Sequence, residues 1–110
     1  MPSIKSNETQ IQSTIIDYLY LKKHFFVRLN NIPPVQHVNG KMVFRKMPKG
    51  SVKGLPDIML ITDGGYVVFL EVKDKSKQSP DQKEFERRCK EKGSEYYIVK
   101  SLEDVKNIGL

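Results

Sequence analysis

The sequence contains one cysteine, Cys89, among its 110 residues. A single thiol cannot form a disulfide within the chain, and it cannot supply the several ligands of a cysteine-based metal cluster. Such sparing use of cysteine is typical of a reducing compartment, so we expect an intracellular, cytoplasmic location. No stretch approaches the roughly eighteen apolar residues of a membrane helix, and the first residues lack the apolar run of a signal peptide. We therefore expect a soluble protein with no membrane partner.

Acidic residues are absent from a long central part of the chain. Between Tyr18 and Pro56 there is no Asp or Glu, whereas eight basic residues occur there: Lys22, Lys23, Arg28, Lys41, Arg45, Lys46, Lys49 and Lys53. The whole chain has a formal net charge of +6. This distribution favours a polyanionic partner, with nucleic acid as the most specific choice, and the alternative is a solvated basic face. A protein with no nucleic-acid role is the least favoured reading.

The spacing of apolar and turn-forming residues predicts a mixed α/β domain. Ile11, Ile15 and Leu19 recur every four residues and predict a helix over about 7–23. Asn39-Gly40 predicts a two-residue hairpin turn, and Ser79-Pro80 begins a second helix. This second helix is expected to end near residue 92, and a short third helix is expected over 101–108. The predicted strands are at 25–29, 35–38, 41–46, 57–62, 66–72 and 96–99. We expect residues 1–110 to form a single domain, with the apolar strand at 66–72 buried on both faces.

Two short segments carry the chemistry. The first ends Gly54-Leu55-Pro56-Asp57, and the second is Glu71-Val72-Lys73. If Asp63-Gly64-Gly65 is a three-residue loop, the antiparallel register places Asp57 opposite Glu71, with their Cβ atoms about 4.5–5.5 Å apart. Two carboxylates at that distance repel unless a cation joins them, and a hard divalent ion is suited to the task.

Lys73 follows Glu71 by two residues, so both side chains lie on the same face of the strand. An ammonium beside two acids suits phosphodiester hydrolysis, because it can orient the attacking water or stabilise developing charge on the phosphate. The alternative is structural. Leu-Pro-Asp is common at strand starts, and Glu-x-Lys can be a solvent-facing ion pair, but charges at the end of an apolar run favour a function.

The ordered set of motifs resembles the VRR-NUC branch of the PD-(D/E)XK nuclease superfamily, in its stand-alone viral or bacterial form. The resemblance covers nearly the whole chain and rests on five segments: Asn7-Glu8-Thr9-Gln10-Ile11-Gln12, Arg28-Leu29-Asn30, Gly54-Leu55-Pro56-Asp57-Ile58, Glu71-Val72-Lys73 and Ser79-Pro80-Asp81-Gln82. It implies a restriction-endonuclease-like fold, in which helices flank a mixed β-sheet. A glycine that the family has soon after Arg28 is missing here. A viral protein of this kind would act in the host cytoplasm.

The same resemblance implies roles for individual residues. Asp57, Glu71 and the main-chain carbonyl of Val72 would bind Mg²⁺ or Mn²⁺, Lys73 would be the catalytic lysine, and Glu8 would complete the acidic site. Glu8 also has a structural explanation, because an acid in the first turn favours the helix dipole. A further residue, Gln82, matches the glutamine of the family, although a Ser-x-x-Gln capping box explains it equally well.

The expected activity is metal-dependent endonucleolytic cleavage of DNA, selective for branched, flap or junction structures and with little sequence specificity. A homodimer is expected by analogy, because a duplex has two backbones and one chain offers one site. The predicted nucleic-acid contacts are Arg28, Lys41, Arg45, Lys46, Lys49 and Lys53. The alternative function is a non-catalytic nucleic-acid-binding module that uses the basic hairpin.

Overall fold

The computed structural model describes residues 7–29, 35–44 and 49–110. Its elements follow the predicted order and lie within two residues of the predicted boundaries. They are α1 (Asn7–Leu21), β1 (Phe25–Arg28), β2 (Val35–Val38), β3 (Lys41–Phe44), β4 (Ile58–Ile61), β5 (Val67–Val72), α2 (Pro80–Glu91), β6 (Glu95–Val99) and α3 (Leu102–Ile108). A single 3-10 turn, Asp63–Gly65, joins β4 to β5.

Four strands form a mixed sheet in the order β1-β4-β5-β6. β4 is antiparallel to both β1 and β5, whereas β6 is parallel to β5 and is reached through α2. A parallel neighbour requires such a crossover, since a hairpin turn joins only antiparallel strands. The predicted mixed sheet with flanking helices is therefore confirmed.

The strands β2 and β3 form a separate two-stranded sheet. Asn39 and Gly40 connect them with φ angles of 51° and 76°, the positive values that a two-residue hairpin turn requires. The predicted hairpin is thus confirmed for the part of it that the structure describes. The predicted end of its second strand, at Arg45 and Lys46, lies outside the described residues.

The core lies between the sheet and the pair of helices α1 and α3. Alternate residues of β4 and β5 point towards this side, as the two-residue period of a strand requires. The buried cluster consists of Ile15, Leu19, Ile58, Leu60, Val68, Leu70, Val72, Val99 and Val105. The apolar stripe predicted for α1 is therefore the surface that packs on the sheet, and it fixes the position of the first turn of α1 at the end of β5.

The opposite face of the sheet is only partly covered. The ring of Phe85 on α2 meets Phe69 edge-on, with a centroid separation of 5.3 Å, and Tyr96 beside it is buried. The expected burial of β5 on both faces is only partly right, because Phe69 stays half-buried beneath α2. Further along the same face, Phe25 is 65% exposed. Within the described ranges, none of the helices has the length and apolar character needed to cross a membrane.

Candidate active site

Asp57 stands at the start of β4, after a loop that packs closely against α2. Gly54 in this loop has a φ of +76°, and a Cβ atom there would lie 2.3 Å from the carbonyl oxygen of Asp81. Only glycine fits such an approach. The Asp57 N–H donates to the carbonyl of Leu70 at 3.1 Å, and the N–H of Leu29 donates to the carbonyl of Asp57 at 2.8 Å. Both neighbouring strands therefore hold the main chain of Asp57.

The turn between β4 and β5 has the length that the sequence analysis required. Asp63–Gly65 separates Thr62 from Tyr66, and the Thr62 N–H donates to the Tyr66 carbonyl at 2.8 Å. The two strands keep this register along their whole length. The last regular pair is Ile58 with Leu70, and the next position of the same register pairs Asp57 with Glu71. The predicted register of the acidic pair (Asp57 and Glu71) is therefore confirmed.

The carboxylate of Asp57 is oriented by the main chain of β5. Its Oδ2 accepts a hydrogen bond from the N–H of Val72 at 2.8 Å. The N–H and C=O of one residue in an extended strand project to the same side, as they do when paired residues exchange both bonds. The Val72 carbonyl therefore also faces the side of β5 on which Asp57 lies. This is the carbonyl that the sequence analysis named as a metal ligand.

Glu71 is a buried acid whose charge is incompletely compensated. Its residue surface is 3% exposed, and its Oε2 is buried without a hydrogen-bond partner among the described residues. Burial and, to a smaller extent, repulsion from Asp57 raise the pKa of Glu71 to about 8, against the opposing effect of the ammonium of Lys73. Burial of a carboxylate oxygen without a hydrogen bond costs folding free energy, unless another group or an ion binds that oxygen.

Lys73 lies on the same face as Glu71, as the two-residue spacing predicted. Its Nζ is 3.7 Å from Glu71 Oε1, and the two side chains are 12% and 4% exposed. This separation is that of an ion pair, longer than a hydrogen bond. The structural alternative, in which Lys73 and Glu71 form a solvent-facing ion pair, is therefore wrong, because both side chains are largely removed from water.

The acidic pair fits a divalent cation. The main chain of β5 presents a carbonyl beside two carboxylates, and oxygen donors of this kind are those preferred by Mg²⁺ and Mn²⁺. The unpartnered Oε2 of Glu71 leaves coordinating capacity at the centre of the site. In residues 7–29, 35–44 and 49–110, no three side chains of His, Cys, Asp or Glu are grouped so as to hold a metal. A cation bound here would take its further donors from the Val72 carbonyl and from water.

Glu8 lies in the first turn of α1, next to the segment that follows β5. Its Oε1 accepts hydrogen bonds from the Asp74 N–H at 3.3 Å and from the Ser76 hydroxyl. The hydrogen bond from Ser76 lowers the pKa of Glu8, with a smaller contribution from the charge of Lys73. Glu8 is thus near the acidic pair and engaged with the chain beyond it. Its predicted place among the metal ligands stays a prediction.

Gln82 forms the capping box that the sequence analysis offered as one of its two explanations. The Ser79 N–H donates to the side-chain oxygen of Gln82 at 2.9 Å, and the Gln82 N–H donates to the Ser79 hydroxyl at 3.2 Å. These two bonds satisfy donors that the start of a helix leaves free. The catalytic role of Gln82 stays a prediction.

The predicted nucleic-acid contacts are distributed over several surface segments. Arg28 lies at the end of β1 next to Asp57, while Lys49 and Lys53 lie in the loop that leads to β4, and all three are exposed. Lys41 is exposed at the start of β3 on the hairpin. The other two, Arg45 and Lys46, lie outside the described residues. Their shared role in binding nucleic acid stays a prediction.

The sequence analysis missed the segment that connects β5 to α2, although it borders the acidic pair. Lys75 and Lys77 in it are exposed. A signal was present, since lysine alternates with polar residues in Lys73-Asp74-Lys75-Ser76-Lys77-Gln78. This segment lies outside the acid-free part of the chain, because it contains Asp74.

Comparison with known proteins adds support for the fold. No protein family model matches the sequence, and no curated protein matches it either. Two solved structures are similar over almost their full length. One, described as a VRR_NUC domain, has a TM-score of 0.67 and 21% identity and covers 94% of this chain and 95% of its own. Another, described as a VRR_NUC domain protein, has a TM-score of 0.60 and 18% identity and covers 96% and 87%. The chain therefore has the fold of these VRR_NUC structures, as its motifs predicted.

Proposed function

We propose that this chain, which shares its fold with VRR_NUC-domain structures, is a nuclease of that family and hydrolyses DNA phosphodiester bonds with Mg²⁺ or Mn²⁺. The observation that carries the proposal is the acidic pair. Glu71 is buried across from Asp57, and its Oε2 has no hydrogen-bond partner among the described residues. The Nζ of Lys73 lies 3.7 Å from Glu71 Oε1. A purely structural role gives no reason to bury an acid in this way, because an apolar residue would stabilise the fold more.

The residues divide the proposed reaction between them. Asp57, Glu71 and the Val72 carbonyl would hold the cation, which would supply Lewis-acid activation of the phosphate and of the attacking water. A water molecule loses a proton to solvent as its oxygen bonds to phosphorus and the bond to the leaving oxygen breaks, and the leaving oxygen takes a proton from solvent. Lys73 orients the water or stabilises negative charge on the phosphate. Glu8 supplies a further carboxylate at the edge of the site.

The proposed substrate is DNA of branched, flap or junction structure, with little sequence preference. Exposed lysines and arginines contact phosphates, which carry no base information. Arg28 lies at the end of β1, beside Asp57, and Lys49 and Lys53 lie in the loop that leads to it. Lys41 lies on the hairpin. A homodimer with two sites would match the two backbones of a duplex.

The second candidate is a nucleic-acid-binding module without catalysis. Its support is that the described residues contain no cluster of three potential metal-binding side chains. In that case the acids are a structural pair and the basic hairpin supplies the affinity through phosphate contacts.

Cleavage assays with labelled duplex, flap and four-way-junction DNA separate the two candidates. Wild type is compared with Asp57→Ala and Lys73→Ala in Mg²⁺, Mn²⁺ or EDTA, with Asp63→Ala at the other end of β4 as the matched control. We expect cleavage that EDTA abolishes, a loss on the order of 10²–10³-fold in the two site variants, and normal activity in the control. Binding without cleavage in either metal would favour the module, whereas full activity of the Asp57 variant would refute the active site assigned to the acidic pair.

A further inference from the structure

The segment between β5 and α2 alternates between residues that contact the protein and residues that face solvent. We call residues 73–79 the β5–α2 loop. Its even positions, Asp74, Ser76 and Gln78, all make hydrogen bonds to other elements. Between them, Lys75 and Lys77 are exposed. A solvated lysine-rich loop does not need such fixation, because exposed charges gain little from a fixed main chain.

The first half of the loop is fixed to the start of α1. Glu8 Oε1 accepts from the main-chain N–H of Asp74 at 3.3 Å and from the hydroxyl of Ser76. Asn7 Nδ2 donates to Asp74 Oδ2 at 3.0 Å. These bonds join residues 66 to 68 positions apart in sequence. They tie the loop to the helix that packs on the far side of the sheet from α2.

The second half is fixed on the other side, beneath α2. Gln78 Nε2 donates to Glu86 Oε1 at 3.1 Å and to the hydroxyl of Tyr96 at 3.3 Å. Tyr96 is buried on β6, so its hydroxyl is a rigid acceptor. The loop is therefore held at both ends, around the edge of the sheet at which β5 finishes, with two ammonium groups between the anchors.

From this geometry we propose that the β5–α2 loop is a preorganised phosphate-binding strip. Lys75 and Lys77 contact backbone phosphates next to the one that is cleaved, and Glu8 is a positioning residue that holds the strip in place. The inference rests on the proposed nuclease function for its substrate. Its physical basis is that fixing the main chain beforehand reduces the ordering entropy lost on binding. The phosphates would thus be held by this strip at the end of β5 and by the Lys49–Lys53 loop, whose neighbour Gly54 packs on α2.

Equilibrium binding of duplex and flap DNA in EDTA tests the strip without cleavage. The double variant Lys75→Ala/Lys77→Ala is compared with Lys22→Ala/Lys92→Ala, which removes two exposed lysines from the opposite ends of α1 and α2. Loss of two phosphate contacts reduces the slope of log Kd against log salt by about 1–2 and weakens binding on the order of 10-fold at 100 mM salt. We expect this change only in the first variant. Equal slopes for the two double variants, or no binding by wild type, would overturn the strip.

Two substitutions of Glu8 test its positioning role. Glu8→Gln keeps an oxygen that accepts from Asp74 and Ser76, whereas Glu8→Ala removes it. We expect the salt slope of Glu8→Gln to equal that of wild type, and that of Glu8→Ala to fall by about 1–2, as in the lysine variant. A reduced slope in Glu8→Gln, or an unchanged slope in Glu8→Ala, would refute positioning through hydrogen bonds.

The outcome is independent of whether the chain cleaves DNA. If wild type binds DNA and the Lys75→Ala/Lys77→Ala variant shows the reduced salt slope, the strip stands even when Mg²⁺ and Mn²⁺ support no cleavage. In that case only the nuclease proposal fails. If wild type cleaves and the same variant keeps both its slope and its KM, the nuclease proposal stands and the strip fails.

Discussion

Replacement of Glu71 by Gln should stabilise the metal-free protein at alkaline pH. The carboxyl group is buried beside Asp57, and its ionised form has one oxygen without a hydrogen-bond partner in the described structure. Glutamine has nearly the same shape but never carries the charge. The variant therefore removes the desolvation of a carboxylate and the repulsion from Asp57, at the expense of the attraction to Lys73.

The pKa of Glu71 fixes the sign and the size of the effect. Burial and the neighbouring carboxylate raise this pKa from 4.5 to about 8 in the folded chain. A group whose folded pKa is raised stabilises the fold fully below its unfolded pKa and loses that contribution as pH rises through the folded value. The whole shift corresponds to ~5 kcal/mol. Because water penetration and relaxation reduce the penalty for a buried charge, we expect about 2–4 kcal/mol.

Urea unfolding between pH 4 and pH 9.5 in EDTA measures the effect. At each pH the free energy of unfolding of wild type is subtracted from that of Glu71→Gln, which cancels the other titrating groups. The difference should be small near pH 4 and should rise to its full value by about pH 9. Glu95→Gln, an exposed change at the start of β6, is the control and should show no such rise. The m-values of the three proteins should agree, so that the comparison concerns stability alone.

A difference that stays flat from pH 4 to pH 9.5 would refute the reasoning. It would mean that Glu71 ionises as an ordinary surface acid does, and that its burial in the structure is wrong. A fall with pH would mean that the attraction to Lys73 outweighs desolvation. In either case the site would hold its charge without a cation, and the main argument for metal binding would be lost.

Three further predictions concern the surroundings of the site. Gly54→Ala should lower Tm more than Gly50→Ala does, by about 5–15 °C, because both have positive φ but only Gly54 lacks space for a Cβ. Ser79→Ala and Gln82→Ala should each reduce the free energy of unfolding in denaturant by about 1 kcal/mol through loss of the capping box. If the two variants cleave DNA at equal rates, Gln82 acts only as a cap, whereas a lower rate in Gln82→Ala alone would assign it to catalysis. At 100 times its Kd, Mn²⁺ should stabilise wild type by about 2.7 kcal/mol in thermal unfolding at pH 8 and leave Glu71→Gln unchanged.

Local pattern was sufficient to predict the fold where the sequence contains both periodicity and a terminating residue. The stripe of Ile11, Ile15 and Leu19 gave the first helix, and Asn39-Gly40 gave the hairpin turn. The separation of that hairpin from the main sheet was not predictable. Pairing between strands depends on contacts made far along the chain, and a short amphipathic strand does not specify its neighbour.

At the site, the sequence could predict what depends on register and alternation. A turn of three residues and a period of two place Asp57, Glu71 and Lys73 together, and all three positions agree with the structure. The sequence could not predict the environment of Glu8. The partners of this acid come from the β5–α2 loop, 66 and 68 residues later, and only the packing of α1 on the sheet brings them close. Likewise, the contact of Gly54 with α2 is fixed by tertiary structure alone.

The supports of the site explain how the chain keeps two acids together against their own repulsion. Asp57 is restrained by main-chain bonds from both neighbouring strands and by the N–H of Val72, while Glu71 is part of a central strand whose inward neighbours are fully packed. The main chain of neither residue can move away without disrupting the sheet. Above the raised pKa of Glu71 both carboxylates are ionised, and we expect a cation that binds between them to relieve their repulsion. The fixed main chain would favour the bound state, because little conformational freedom is left to be lost on binding.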